Sequence, residues 1–505
     1  MAMRRGVRKD RPAAKEIRRA VEAAIGAMAA PAAIESGEAP LALTQGSFRL
    51  EEQNGRLWLE CWSEDRNLAR RITAIREQSR RKLVLRVACF GGREADLVVA
   101  DLASPDAARV ERSAARKQFR ETLRRFLSRQ FPGWQLRSIS TEADLEHSLS
   151  PLYARALLVK GGTALAAIGT GETEGDPAGV LTAGLIWLDY LRKRNLGLTL
   201  KEMAVFVPEG FEKTVCLRVR WLDPDRASYR VWVHRNQREE LLDPFDYGNV
   251  DTRLGRYRDP RAETAPELLK MVDCVARLPF VQRVDAGDGW LSLRVDGLEF
   301  ARAGRAGLFI GLDQREKASL DDLRRLEALA HAIAEHRRAD ARGGNPLSRR
   351  SPEARLESQV RTALRTVDAT LSESPVYGQL PAFAAAERGV LDLLAIDCTG
   401  RLVVIELKAS EDPHLPLQAL DYWLRVQWHL ERGEFEHAGY FPGRKLRRDP
   451  PRLLLVAPAL QFHPSNQQVL SFLSPQVEVE QVGVGLEWQK SLRVVARWRR
   501  PCPCP

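Results

Sequence analysis

Residues 389–422, GVLDLLAIDCTGRLVVIELKASEDPHLPLQALDY, limit what this chain can become more than any other stretch. They read as strand, tight turn, strand, short loop and helix. The runs 391–396 and 402–405 are apolar and rich in branched residues, and Cys398-Thr399-Gly400 supplies the turn between them. A three-residue loop with Gly400 in the left-handed position sets Asp397 opposite Arg401. Counting outward, it sets Asp392 opposite Glu406. Like charges paired across a sheet are destabilising unless positive charge lies between them, so the pair calls for a cation, and a divalent metal with oxygen ligands is the natural candidate. Alternation along the strand puts Lys408 on the face of Glu406. In the following helix Leu417, Leu420 and Leu424 form an apolar stripe, while Gln418 and Tyr422, four apart, share another face turned toward the patch.

The Asp at 392, the E-x-K of Glu406-Leu407-Lys408 and the Q-x-x-x-Y of Gln418 to Tyr422 resemble the PD-(D/E)XK nuclease superfamily in its RecB-like branch. The apolar hairpin with its glycine turn is also similar to the C-terminal domain of archaeal and actinobacterial mismatch-nicking endonucleases. The resemblance covers about the last third of the chain. It implies a restriction-endonuclease-like α/β domain that hydrolyses phosphodiesters with magnesium, or manganese in its place. Asp392 and Glu406 would hold the ion, with the backbone carbonyl of Leu407. Lys408 would orient or deprotonate water or neutralise the phosphate. A glutamate on the preceding helix completes such sites in the family; Glu357 is the first candidate and Glu353 the second. Gln418 and Tyr422 support the site, and His414 in the loop reads as a surface residue.

At 505 residues the chain has room for about three domains. A formal charge of +11 favours a polyanionic partner, DNA above all, though over this length the excess is mild. Cys61, Cys89, Cys216, Cys274, Cys398, Cys502 and Cys504 have no framework of spacings and read as thiols of a reducing cytoplasm. With no apolar run of membrane-spanning length and no signal-peptide pattern, the expectation is a cytoplasmic protein without a membrane partner. The G-x-x-x-x-G-K-[ST] pattern is absent, so cutting would not draw on an ATPase of its own, and a helicase or repair partner would act in trans.

The chain divides as follows. Residues 1–40, with Arg4, Arg5, Arg8, Lys9 and Arg11 and then a helix through Lys15 to Met28, read as a basic extension and linker, and 41–106 as a β-rich unit interrupted by a helix-like basic stretch at 64–75. Residues 107–262 form an α/β domain. Its long basic helix and its order of strand pair, helix and strand match the C-terminal order, which suggests a degenerate copy of the same fold. Aligning IELKASE with IGTGETE puts Gly169 at Glu406 and Gly171 at Lys408, so no metal set survives; Glu172 and Glu174 read as loop carboxylates. Residues 263–343 read as a small α/β connecting region. The catalytic domain occupies 344–505, its helix starting at Ser351-Pro352-Glu353. There Arg444, Lys445, Arg447 and Arg448 form a basic turn expected to meet the nucleic-acid backbone. The working assembly is an internal pseudodimer that nicks one strand, or else a homodimer that cuts two. A binder that keeps the fold without cutting, and an RNA-processing enzyme, remain alternatives.

Overall fold

A computed structural model describes residues 14–35, 41–44, 46–53, 56–62, 67–79, 82–89, 93–101, 105–171, 176–194, 196–235, 238–250, 252–285, 289–337, 347, 350–378 and 392–499. The N-terminal basic cluster, Glu172, Glu174, Cys502 and Cys504 lie outside them. The protein is mixed α/β, built on four sheets. Among the described residues no helix is long and apolar enough to cross a membrane.

The first sheet has seven strands, all antiparallel. Helix α1 (Ala14–Gly26) lies on it, with Ile17, Val21, Ala24 and Ile25 in the same core as Leu57, Leu59, Leu83 and Leu97. Strand Pro31–Ile34 pairs with Arg93–Asp101. Residues 14–34 are therefore part of this unit, which corrects the linker expected there; a half-apolar helix is stable only against a partner, and its partner strands come later in sequence. The stretch expected to be helix-like is strand Asn67–Gln78. Its ladder shifts register at Ile72/Ala74 and again at Ile75/Glu77, and each extra residue breaks the period-2 signal.

The second unit opens with α2 (Pro105–Gln130), which buries Phe119, Leu123, Phe126 and Leu127. Its strands are β1 (Gln135–Ser140), β2 (Ala154–Lys160), β3 (Thr163–Gly169), β4 (Thr199–Pro208), β5 (Ser228–Arg235) and β6 (Arg238–Leu242), hydrogen-bonded in reverse chain order across the sheet. Helices α3 (Val180–Lys193) and α4 (Glu212–Val219) make the crossovers from β3 to β4 and from β4 to β5. Those two pairs are parallel and the outer pairs antiparallel. In the third unit, α5 (Pro266–Val275) and α6 (Leu323–His336) cover a five-stranded antiparallel meander between residues 281 and 318.

Helix α7 (Pro352–Thr362) precedes the fourth sheet, which runs β7 (Leu393–Ile396), β8 (Leu402–Leu407), β9 (Arg452–Pro458), β10 (Val479–Val484) and β11 (Val494–Arg499) in order. Helix α8 (Leu415–Glu431) crosses from β8 to β9, and α9 (Ser465–Leu470) from β9 to β10. The pairing is antiparallel, parallel, parallel, antiparallel. Strands β2 to β6 with α3 and α4 thus repeat β7 to β11 with α8 and α9 in order and in strand sense.

The sheet faces agree as well. Met203 and Val205 on β4, like Leu453 and Leu455 on β9, enter one core shared by both units, whereas Ala204 and Phe206, like Leu454 and Val456, turn to separate outer cores. Within the shared core α3 meets α9, and α8 meets α4. At the centre two Leu-x-Pro turns face each other. Leu222 bridges Leu473, the Asp223 N–H donates to the Phe472 carbonyl (2.8 Å), and the Ser474 N–H donates to the Trp221 carbonyl (2.7 Å). Reciprocal bonds between equivalent residues are the signature of a two-fold contact, here within one chain.

Candidate active site

Glu406 comes from the C-terminal end of β8, where its neighbour β9 also ends; in parallel sheets this is the edge at which ligands collect. The hairpin register carries Asp392 there too. Leu393 pairs with Ile405, the Asp397 N–H donates to the Arg401 carbonyl (2.9 Å), and Gly400 turns the chain at φ +89°. A Cβ on Gly400 would lie 2.4 Å from the Lys445 carbonyl oxygen, so the turn has no room for a side chain. One step beyond Leu393, Asp392 stands opposite Glu406, and its Oδ2 accepts the Leu407 N–H (2.7 Å).

Glu406 is taken out of water and Asp392 is half-buried. Burial raises the Asp392 pKa to about 7, partly countered by the Leu407 N–H, and the Glu357 carboxylate pushes it further up. Burial, then Asp392, raises that of Glu406. Glu406 is 5% exposed, and its Oε2 is buried without a hydrogen-bond partner. An orphaned carboxylate oxygen beside a second carboxylate is the donor set of a hard divalent cation. These residues fit the ion that the resemblance implies. Among the described residues no group of three or more His, Cys, Asp or Glu is close enough to make a fuller metal cluster.

Lys408 follows on the same face, its N–H bonded to the Val456 carbonyl (3.0 Å). Burial works against its charge, but Asp412, with Nζ to Oδ2 at 3.4 Å, and Glu406 outweigh burial and leave its pKa raised. Burial works to raise the Asp412 pKa, but Lys408 and His414 together outweigh it and hold this carboxylate below the usual range. Sequence reasoning passed over Asp412; its one signal is the four-residue spacing from Lys408. Tyr422 is buried, and burial, Glu406 and Asp392 together raise its hydroxyl pKa. Gln418, one turn earlier on α8, is half-buried.

Four expectations need correcting. Glu357 lies near Asp392, but its carboxylate is already engaged by two cations, Oε1 by Arg361 (2.7 Å) and Oε2 by Arg294 of the third unit (3.3 Å). A carboxylate so neutralised is a poor metal ligand, and its place is to anchor α7. Glu353, one turn earlier, acts on both Asp392 and Lys408. The basic turn of Arg444, Lys445, Arg447 and Arg448 packs at the other end of the hairpin, where the Arg447 N–H donates to the Gly400 carbonyl (2.8 Å). That is about 20 Å along β8 from Glu406. Arg447 pairs with Asp449 and Arg448 with Glu436, so this turn does not line the carboxylate end. His414 is half-buried rather than on the surface; it packs against the second unit, where a Cβ on Gly179 would lie 2.6 Å from its ring.

The fourth correction concerns the repeat. Gly169 faces Phe206 and Phe119, away from the shared core, whereas Glu406 shares its face with Leu402 and Val404, which enter that core. Register decides the match: Leu407 pairs with Val456 as Gly169 pairs with Phe206, and Lys408 donates to Val456 as Thr170 donates to Phe206. Glu406 therefore corresponds to Ile168, Lys408 to Thr170, and Asp392 to Arg155, which stands opposite Ile168. The equivalent position holds a buried cation in place of an acid. Arg155 donates to the Ser150 and Glu142 carbonyls, and burial lowers its pKa to about 10. Comparison with family models, with curated proteins and with solved structures gives no match for the chain.

Proposed function

We propose that this protein is a metal-dependent nuclease of the PD-(D/E)XK type that cuts DNA at the Asp392–Glu406 pair. The observation that carries the reading is the orphaned, buried Glu406 carboxylate facing Asp392, with the Lys408 ammonium on the same face. A magnesium or manganese ion held by Asp392, Glu406 and the Leu407 carbonyl would neutralise charge at phosphorus and lower the pKa of water. Lys408, kept charged by Asp412, donates to a phosphate oxygen or to the attacking water. Tyr422 closes the site toward α8 and holds bulk water away from the carboxylates.

The second unit, with Arg155, Ile168 and Thr170 at the matching places, serves as an inactive partner, so that one chain works as an internal pseudodimer with one cutting site. A non-cutting binder of DNA or RNA is the second reading, and the small size of the carboxylate set among the described residues favours it. The test is cleavage of a labelled panel of duplex, single-stranded, branched and mismatched DNA and RNA, with magnesium or with EDTA, by wild type and Glu406→Ala. Metal-dependent cutting lost in the variant supports the nuclease. Metal-independent binding without cutting supports the binder.

A further inference from the structure

The two-fold contact between the second and fourth sheets is broken at one place. α3 meets α9 within the shared core, where Leu185 of the one and Val469 of the other are both buried. By the same repeat, with Leu222 matched to Leu473 and the helix LTAGLIWL matched to LQALDYWL, their counterparts are Asp421 on α8 and Arg218 on α4. These are also buried, at 8% and 4% exposure, but as an ion pair: Nε to Oδ1 at 2.9 Å and Nη2 to Oδ2 at 2.7 Å. The third Arg218 nitrogen donates to the Ala178 carbonyl, at the entry to α3. One half of the interface therefore uses apolar packing where the other uses a fork of charged hydrogen bonds.

The stability argument does not favour the fork. Exchanging a buried ion pair for well-packed apolar residues is commonly neutral or stabilising, and this chain shows the apolar solution in its own other half. A bidentate Arg–carboxylate pair supplies what apolar contact lacks, a fixed direction. It is fixed on α8, and Asp421 is the residue beside Tyr422.

We propose that Arg218, which belongs to the unit without a carboxylate pair, is a positioning residue for the unit that has one: it sets the rotation of α8 and so the placement of Tyr422 and Gln418 over Asp392 and Glu406. The candidate site is then incomplete without its inactive partner. The inference rests on the nuclease reading for what α8 faces, but not for the positioning itself.

The test is the double variant Arg218→Val/Asp421→Leu, which copies the apolar pair of the other half. Three readouts are needed: urea unfolding, hydrogen exchange of peptides within 415–431, and cleavage kinetics on whichever substrate wild type cuts. The expected result is an unfolding midpoint equal to or above that of wild type, faster exchange in α8, KM within about twofold and kcat down by about tenfold or more. Arg218→Lys keeps the charge and loses the fork. It is expected to fold and to lose rate severalfold, and it stands in if the double variant does not fold. Wild-type exchange and wild-type kcat in a folded variant would overturn the proposal. If wild type cuts nothing, the nuclease reading fails, and exchange in α8 still decides whether Arg218 positions it.

Discussion

Replacing Asp392 by Asn should make the protein more stable, and more so at higher pH. In the folded chain burial moves this carboxyl to about 7, whereas an unfolded Asp titrates near 4. Below about pH 4 both states are protonated and the substitution changes nothing. Between about pH 4 and 7 the unfolded chain has released its proton and the folded chain has not. The native state then binds more protons, and stability falls as pH rises. Above about pH 7 the full cost of the buried charge is present, up to about 4 kcal/mol, and less because the residue is only half-buried and solvent screens it. Asn keeps an oxygen for the Leu407 N–H and carries no charge.

The assay is urea unfolding in EDTA at pH 5, 6.5 and 8, with hydrogen exchange of peptides covering 402–407 as the local reporter, since four packed sheets need not unfold in one step. The gain of Asp392→Asn over wild type should grow by about 2 kcal/mol between pH 5 and pH 8. Magnesium should stabilise wild type and leave the variant unchanged. A gain independent of pH, or a variant less stable than wild type in EDTA at pH 8, would refute the reasoning, because Asp392 would then not be a buried charge waiting for a cation.

Asp412→Ala leaves the half-buried Lys408 ammonium without its nearest partner, and should cost about 1 to 2 kcal/mol in urea unfolding and at least about tenfold in cleavage rate. Arg444→Glu with Lys445→Glu changes charge about 20 Å from Glu406, well beyond the screening length of physiological salt, so single-turnover cleavage should stay within about twofold of wild type. With one intact carboxylate pair per chain, a supercoiled plasmid carrying a cleavable site should pass to open circles first, and linear product should appear only after a lag. Simultaneous appearance of both forms would show two coordinated cuts.

The hairpin and its register were legible in the sequence because the turn chemistry is local: Cys398-Thr399-Gly400 fixes Asp397 against Arg401, and every pair outward follows, Asp392 and Glu406 included. The helices α2 and α6 were legible from their apolar stripes. What lay out of reach depends on contacts distant in sequence. Arg294 reaches Glu357 from another sheet, and nothing near either residue announces it. Asp412 sits in a loop with no period to mark it. The strand Asn67–Gln78 hides its alternation behind two bulges. The repeat was visible in the order of its elements, but an ungapped match of letters cannot tell which side of the sheet a residue faces, and one step separates Gly169 from Ile168. That step turns a glycine at the Glu406 position into an isoleucine, and puts Arg155 where Asp392 stands.

The central claim is that Asp392 and Glu406 form a divalent-cation site, and calorimetric titration tests it without any substrate. Manganese is titrated into wild type and into Glu406→Gln at pH 7.5. Saturable heat in wild type that disappears in the variant is the expected result. Identical titrations of the two proteins, or no saturable binding by wild type, would contradict the claim.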